Sequence, residues 1–201
     1  MELNVNPGAK GLIFDLDGTL SDSLPVHMAT WNMLGETFGF IFEDRLVYEM
    51  TGMPTIAFAE RLIVENQLSV SPEELVRLKQ EAFWQSVGLI KPIELVVNIV
   101  RLWHGKLPLS VGTGASRRSA MLQLETLGLT HFFDAVVTAD DVTRHKPQPD
   151  TFLLCAERMG VKPAECQVFE DGILGMQAAV SAGMIVTDVR PFINYGEWGL
   201  S

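Results

Sequence analysis

Short apolar runs recur along the chain and alternate with segments of helical periodicity. The runs occupy residues 11–14, 107–111, 135–138, 167–169 and 184–189. Most are rich in β-branched residues and end close to glycine or acidic residues. Runs of this length and composition are typical of strands that are buried on both faces of a parallel sheet.

Between the runs, apolar residues recur at helical spacing. These segments cover residues 93–104, 116–127, 150–159 and 173–182, and a glycine directly follows each of them. Glycine is common just beyond a helix C-terminus. The alternation predicts an α/β fold with a doubly wound, Rossmann-like parallel sheet. In such a sheet, ligands bind beyond the carboxyl ends of the strands.

Residues 24–90 interrupt this alternation, because the stretch shows only helical patterns. Helices are predicted over residues 25–38, 43–50, 55–67 and 72–87. The last of them opens with Ser71, Pro72 and Glu74, which match a capping box. The sequence therefore predicts an all-helical cap domain (24–90) inserted into an α/β core (1–23 and 91–201). The hinges are expected at residues 21–24 and 88–92.

The composition is that of a folded, acidic protein. Of the 201 residues, 47% are hydrophobic, and 15 basic against 25 acidic residues give a net charge of −10. This excludes a disordered chain and argues against a partner that is nucleic acid or an anionic membrane, since no basic surplus can neutralise phosphates. A small anionic substrate is still allowed, because a metal ion or a few local donors can hold one phosphate.

Targeting and redox signals are weak. Neither a secretory signal nor a membrane-spanning run is visible, so a cytoplasmic location is expected. Cys155 and Cys166 form no CxxC motif and are expected to be reduced packing residues. The methionines and the cap aromatics are likewise expected in the core.

Two aspartates, Asp15 and Asp17, directly follow the first predicted strand, and Gly18 comes after them. A carboxylate at a strand tip can attack phosphorus, and a second one nearby can give and take a proton. The glycine lets the backbone turn close to a ligand. This arrangement predicts a metal-assisted nucleophilic site. The alternative is a strand-terminal turn with a solvated aspartate.

Polar residues at other strand ends and loops fit the same site. Thr113 lies between two glycines, and its hydroxyl can bind a phosphate oxygen. Lys146 lies in a loop bracketed by prolines and can neutralise a carboxylate and a phosphate. Glu170 and Asp171 add carboxylates that, with Asp15, suit Mg²⁺. An acid pair at a helix N-terminus can also serve the helix dipole alone.

These four motifs together resemble those of the haloacid dehalogenase-like superfamily, in order and over nearly the whole chain. They read FDLDGTL at residues 14–20, GTG at 112–114, HKP at 145–147 and FEDG at 169–172. The cap between the first and second motifs is similar to that of the β-phosphoglucomutase-like branch. Within that branch, the sequence looks most like bacterial sugar phosphatases of the fructose-1-phosphatase type.

The resemblance implies a role for each motif. Asp15 would be the nucleophile that forms an aspartyl-phosphate, and Asp17 the general acid and then the base. Mg²⁺ would be held by Asp15, the Asp17 carbonyl, Glu170 and chiefly Asp171. Thr113 and Lys146 would grip the phosphoryl oxygens. The substrate contacts are expected from His27, Gly52, Thr113, Gly114, Ala115 and Lys146.

The cap residues bear on the choice between phosphatase and mutase. His27 lies where the mutase branch has a histidine at the cap entry, which contacts the sugar or assists cap movement; a packed helix histidine is the alternative. After a glycine that matches Gly52, the mutase has an arginine that grips a second phosphate, and here Thr55 stands instead. A hydroxyl cannot replace a bidentate guanidinium, so Thr55 favours a phosphatase. The mutase stays open because another cation could come from Arg45, Lys91, Arg117 or Arg118.

The sequence is therefore interpreted as a Mg²⁺-dependent phosphatase of small sugar phosphates, with hexose phosphates such as fructose 1-phosphate preferred. It is expected to be a monomer or a weak homodimer. A sugar phosphomutase is the first alternative. A haloacid dehalogenase is disfavoured because that chemistry uses neither Asp17 nor Mg²⁺. A catalytically silent binding protein is disfavoured because the acid set is intact.

Overall fold

The computed structural model describes residues 3–43, 46 and 55–193. Within them the strands are β1 (Gly11–Phe14), β2 (Ser21–Asp22), β3 (Lys91–Pro92), β4 (Leu109–Gly112), β5 (Ala135–Val137), β6 (Cys166–Glu170) and β7 (Ile185–Asp188). Five of them form a parallel sheet in the order β5-β4-β1-β6-β7. The chain thus starts in the middle of the sheet and winds outward in both directions. This confirms the predicted doubly wound α/β fold.

Helices cover both faces of the sheet. The seven helices among the described residues are α1 (Leu24–Phe38), α2 (Thr55–Asn66), α3 (Pro72–Ser86), α4 (Glu94–Trp103), α5 (Arg117–Thr126), α6 (Asp150–Met159) and α7 (Ile173–Ser181). Leu12 and Phe14 of β1 pack in a cluster with residues of α4 and α5, whereas Ile13 packs in one with residues of α6 and α7. This alternation follows from the two-residue period of a strand, and it leaves β1 buried on both sides.

The strand registers bring the carboxyl ends of the three central strands level. Phe14 pairs with Val111 of β4 and with Phe169 of β6. The residues that come next, including Asp15 and Glu170, therefore lie side by side at one edge of the sheet. The residues that the motifs predict to carry the chemistry therefore lie close together at this edge.

The stretch between β2 and β3 is helical wherever it is described. Its helices share a cluster of buried side chains in which Trp31 of α1 packs edge-on against Phe58 of α2, with ring centroids 4.7 Å apart. Helix α3 begins as predicted, because the Ser71 hydroxyl accepts a hydrogen bond from the Glu74 N–H at 3.2 Å. The Glu74 carboxylate pairs with Arg77, one turn on, instead of closing the box. The predicted helix at 43–50 lies mostly outside the described residues.

The two connections between the helical stretch and the parallel sheet run side by side. Strands β2 and β3 form an antiparallel pair in which Ser21 is opposite Pro92 and Asp22 is opposite Lys91. The sequence did not predict this pair, because two residues are too short for a periodic pattern. It lies at the two segments that were expected to be hinges.

The element boundaries differ from the predictions by one or two residues. The largest difference is at β4, which was expected over 107–111 and spans Leu109–Gly112. Pro108 cannot donate to a sheet ladder, and its carbonyl only accepts a hydrogen bond from the Leu12 N–H at 3.0 Å. In the described part of the chain, no helix combines the length and the apolarity needed to cross a membrane. Cys155 and Cys166 are buried and unpaired, as expected.

Candidate active site

A buried lysine joins two carboxylates at the edge of the sheet. The Lys146 ammonium, from the loop before α6, donates to Asp15 Oδ1 at 2.6 Å and to Glu170 Oε2 at 2.7 Å. All three residues are at most 4% exposed. Burial alone would lower the pKa of Lys146, but the two carboxylate charges outweigh burial and raise that pKa. Lys146 therefore keeps its positive charge beside Asp15.

Asp15, Glu170 and Asp171 form a cluster of carboxylates. Each offers an oxygen, and these three atoms lie within 4.8 Å of one another. Burial and the neighbouring Glu170 charge raise the pKa of Asp15 and raise that of Asp171 to about 8. A divalent cation with oxygen ligands would relieve this repulsion, so the donor set fits such an ion.

Two glycines make room for the cluster. Gly18 has φ +85°, and a Cβ there would lie 2.3 Å from Asp171 Oδ2. A Cβ on Gly175 of α7 would lie 1.9 Å from Glu170 Oε2. The loop after β1 and the start of α7 can approach the carboxylates only because both positions lack a side chain.

Glu170 is already heavily bonded within the protein. Its Oε2 accepts from Lys146, and its Oε1 accepts from the N–H groups of Gly172 at 2.9 Å and of Asp171 at 3.2 Å. Glu170 thus fixes both Lys146 and the loop that carries Asp171. Asp171 itself accepts a hydrogen bond from the Thr19 hydroxyl at 2.8 Å. The expected ligand role of Glu170 stays a prediction beside this bonding role.

Asp17 lies next to the cluster but has different partners. Its Oδ1 accepts hydrogen bonds from the Ser23 hydroxyl at 2.6 Å, Gln123 Nε2 at 2.9 Å and His27 Nε2 at 3.0 Å. Burial alone would raise the pKa of Asp17, but the His27, Ser23 and Gln123 side chains outweigh it and lower that pKa. Asp15 and Asp17, two residues apart, thus have their pKa values shifted in opposite directions.

His27 connects Asp17 to the helical stretch. Its Nδ1 lies 2.6 Å from the Lys79 ammonium of α3, and its ring stacks on Phe83 at 4.3 Å. An ammonium can only donate, so Nδ1 accepts and Nε2 carries the ring proton that it donates to Asp17. Burial and the Lys79 charge lower the pKa of His27, which favours this neutral form. Both ring nitrogens are bonded within the protein, and the expected sugar contact of His27 stays a prediction.

Sequence reasoning missed three residues near Asp17, namely Ser23, which donates to its carboxylate, Lys79 and Gln123. Lys79 lies on an amphipathic helix, where a lysine is expected on the solvent-facing side. In the structure it is only 6% exposed. Its burial lowers its pKa to about 8. Gln123 carries no motif signal, and only the fold brings it to Asp17 across 106 positions. An isolated polar residue among the apolar positions of α5 was the one available signal.

Thr113 and its neighbours occupy the adjacent strand end. The Thr113 N–H donates to the Val137 carbonyl at 2.9 Å, and the Thr113 hydroxyl accepts from the Ala115 N–H at 3.0 Å. Gly114 and Ala115 are partly exposed, whereas Thr113 is buried. Helix α5 starts just beyond, with the Ser116 side chain accepting from the Ser119 N–H. Gly52, the remaining predicted contact, lies outside the described residues.

The chain is similar in sequence and fold to known proteins. The chain matches the family of haloacid dehalogenase-like hydrolases over residues 12–189. The chain belongs to this family. Its sequence is 46% identical to the fructose-1-phosphate phosphatase YqaB of Escherichia coli (strain K12) over 181 residues, which cover 90% of this chain and 96% of that protein.

Other similar proteins have lower sequence identity. The β-phosphoglucomutase of Bacillus subtilis (strain 168) is 27% identical over 187 residues, which cover 90% of this chain and 83% of that protein. A hydrolase from Pseudomonas syringae of known crystal structure has a TM-score of 0.80 and 26% identity, and the match covers 94% of this chain and 89% of that one. The relatives thus include both a phosphatase and a mutase.

Proposed function

We propose that this protein is a Mg²⁺-dependent phosphatase of small sugar phosphates, with hexose phosphates such as fructose 1-phosphate preferred. The observation that carries the proposal is the Lys146–Asp15 contact inside a buried carboxylate cluster, with a second acid, Asp17, beside it. The 46% identity to a fructose-1-phosphate phosphatase supports the substrate class.

Asp15 is the proposed nucleophile. Lys146 bonds its Oδ1, so its Oδ2 is the oxygen that attacks phosphorus. A P–O bond to Asp15 forms while the P–O bond to the sugar breaks, and the Lys146 charge stabilises the charge carried by the phosphoryl oxygens. Water then attacks the phosphorus of the aspartyl-phosphate, which releases inorganic phosphate and restores Asp15.

Asp17 handles the proton in both steps. It gives a proton to the departing sugar oxygen and then takes one from the attacking water. Since Oδ1 already accepts three hydrogen bonds, the proton is carried on Oδ2. Thr113, Gly114 and Ala115, at the neighbouring strand end, are proposed to bind the phosphoryl oxygens.

Asp15, Asp171 and the Asp17 carbonyl are proposed to hold Mg²⁺, with Glu170 beside them. When bound, this ion supplies positive charge against the phosphoryl oxygens and offsets the carboxylate repulsion. The oxygen-only donor set and its burial support a hard divalent cation. The ion's identity is tested by comparing Mg²⁺, Ca²⁺ and Zn²⁺ in the assay below.

A sugar phosphomutase is the second candidate function, since a β-phosphoglucomutase is among the relatives. A mutase needs a second cation for the distal phosphate. Arg117 is engaged with Asp141 at 2.5 Å, and the Arg118 guanidinium stacks 3.7 Å from the ring centroid of Trp84. These contacts and Thr55 favour the phosphatase. Arg45 lies outside the described residues.

The proposal is tested by measuring inorganic phosphate release from fructose 1-phosphate, glucose 6-phosphate and β-glucose 1-phosphate with Mg²⁺, and with EDTA as the control. Release with at least one hexose phosphate, abolished by EDTA, is expected. Conversion of β-glucose 1-phosphate to glucose 6-phosphate without phosphate release, dependent on a bisphosphate primer, would establish the mutase instead. Haloacid turnover in EDTA would establish a dehalogenase.

The remaining expectations concern partners and location. The proposed substrate is a small molecule, and the net charge of −10 disfavours nucleic acid and anionic membranes as partners. We place the protein in the cytoplasm as a monomer or weak homodimer. Size-exclusion chromatography with light scattering over a range of concentrations tests the oligomeric state, and cell fractionation tests the location.

A further inference from the structure

Gln123 contacts the proposed acid and base from the sheet domain. It lies on α5, is fully buried, and donates from Nε2 to Asp17 Oδ1 at 2.9 Å. Its other amide atom, Oε1, is buried and has no hydrogen-bond partner among the described residues. Turning the amide over would place Oε1 against the carboxylate, so the contact with Asp17 dictates the orientation of the whole side chain.

A glutamine in this position carries a desolvation cost that an apolar residue would avoid. The neighbouring α5 side chains Ala120 and Leu124 are buried in the apolar cluster beside the sheet. An unpartnered buried carbonyl loses its hydrogen bonds to water without replacing them. Methionine has a similar length and volume and would avoid this loss. What glutamine offers in exchange is its hydrogen bond to Asp17.

The three donors to Asp17 Oδ1 come from different parts of the molecule. Ser23 lies between β2 and α1, and His27 lies on α1, so both belong to the helical stretch or its connection. Gln123 lies on α5, which packs against the sheet that carries Asp17. A rotation of the helical stretch about the β2–β3 pair would move His27 away from Asp17 but leave Gln123 in place.

We propose that Gln123 is a positioning residue that holds the Asp17 carboxylate with Oδ2 turned toward the leaving-group oxygen. It does so whatever the position of the helical stretch. The proposal rests on the proposed phosphatase function. In that reaction, Asp17 Oδ2 releases its proton to the sugar oxygen as the bond from that oxygen to phosphorus breaks and the Asp15–phosphorus bond forms. A carboxylate that rotates freely delivers this proton less often, and Gln123 restricts that rotation without exchanging a proton itself.

Leaving-group chemistry separates this role from a structural one. A sugar alkoxide needs a proton in order to leave, whereas p-nitrophenolate leaves as a stable anion. We compare the parent enzyme with Gln123→Met in the presence of Mg²⁺, and measure by rapid mixing the first release of fructose and of p-nitrophenolate from the two phosphate esters. Gln123→Leu serves as a second variant, in case methionine packs poorly.

Both variants are expected to release fructose about tenfold more slowly, as the loss of one hydrogen bond to a charged group predicts. Release of p-nitrophenolate should change by less than about twofold. The midpoint of thermal unfolding should stay close to that of the parent, because losing the hydrogen bond to Asp17 offsets removing the unpartnered Oε1. The matched control is Gln167→Met, which removes another buried amide, one that bonds Asn4, Asn6 and Thr187 away from the site. Its ratio of the two rates should match that of the parent.

The contrary outcomes distinguish a failure of the Gln123 role from a failure of the proposed function. Equal losses on the two esters, or no loss on fructose 1-phosphate, would overturn the role of Gln123 while the parent still works as a phosphatase. A parent that releases p-nitrophenolate but cleaves none of the sugar phosphates would overturn the proposed function, and the positioning role with it.

Discussion

The charge of the site is the sum of one ammonium, that of Lys146, and three carboxylates around it. The lysine touches Asp15 and Glu170, while Asp171 lies within the same cluster and bonds Thr19. Three carboxylates against one ammonium leave two negative charges when all are ionised. That residue balance matches one divalent cation, and it explains how an acidic protein can still receive a phosphate ester.

Replacing the proposed nucleophile, Asp15, tests the residue at the centre of this charge balance. Asp15→Asn keeps the shape of the side chain but removes the nucleophilic oxygen, so phosphate release from fructose 1-phosphate should become undetectable. Circular dichroism and the thermal midpoint should stay close to those of the parent, since the amide oxygen can still accept from Lys146. Ordinary turnover by this variant would contradict the assignment of Asp15.

The burial of Lys79 leads to a prediction about how the free energy of unfolding depends on pH. Burial lowers its pKa from the ordinary 10.5 to about 8, so below pH 8 the folded protein holds a buried charge that the unfolded chain exposes to water. That shift corresponds to about 3 kcal/mol of destabilisation, partly offset by the His27 and Phe83 contacts. Lys79→Met should therefore stabilise the protein by about 1–2 kcal/mol at pH 7.

The lowered pKa of Lys79 also predicts how the stability gain of Lys79→Met changes with pH. Between pH 8 and 10.5 the unfolded parent binds more protons than the folded parent, so the parent gains stability as the pH rises. The advantage of Lys79→Met in urea titrations should shrink across that window. Lys106→Met, at an exposed lysine, should show no such advantage. A constant difference from pH 7 to 10.5 would contradict the buried charge.

At the scale of elements, helix α7 and strand β6 meet at Gly175. An added methyl group there would overlap Glu170 Oε2, which holds Lys146. Gly175→Ala should push the Glu170 carboxylate aside, destabilise the protein by about 1–3 kcal/mol and lower kcat about tenfold or more. Thermal unfolding and phosphate release measure the two effects. Gly8→Ala, far from the cluster, is the control, and equal activity of the two variants would contradict the packing argument.

The sequence predicted the elements better than the contacts between them. The apolar run at Gly11–Phe14 and the helix Asp150–Met159 were predicted with their observed bounds, because strand and helix periods are local properties. The β2–β3 pair was missed, since it depends on two short segments that meet only in the fold.

The same limit applies to the site. The family motifs named Asp15, Asp17, Lys146 and Asp171, and the structure brings these residues to one edge of the sheet. The sequence named His27, but the other side chains around Asp17 and His27 could not be predicted. Lys79 and Gln123 lie on different helices, and neither residue type signals burial near a carboxylate. Their contribution becomes visible only when α3 and α5 are placed around the end of β1.

For the molecule as a whole, the proposed metal binding by the cluster would be coupled to folding. Its residues come from distant parts of the chain, so the unfolded chain has no comparable site and Mg²⁺ should stabilise the fold. A concentration 100-fold above the dissociation constant corresponds to about 2.7 kcal/mol. For a chain of this size, that is roughly 5–10 °C in the midpoint of thermal unfolding. Asp171→Asn should abolish most of this shift, whereas Asp188→Asn, at a carboxylate that pairs with Arg190, should retain it.

In the metal-free protein, the contribution of Asp171 to stability should depend on pH. The pKa of Asp171 is raised from 3.8 to about 8, so between these values the folded state binds more protons than the unfolded state, and the contribution of Asp171 to stability falls as the pH rises. In EDTA, the stability of the parent minus that of Asp171→Asn should therefore decline from pH 4 to pH 8. Saturating Mg²⁺ should remove the decline, because the cation replaces the proton as the partner of the carboxylate. A difference that stays flat in EDTA, measured by urea titration at each pH, would show that Asp171 is not held under repulsion in the folded state.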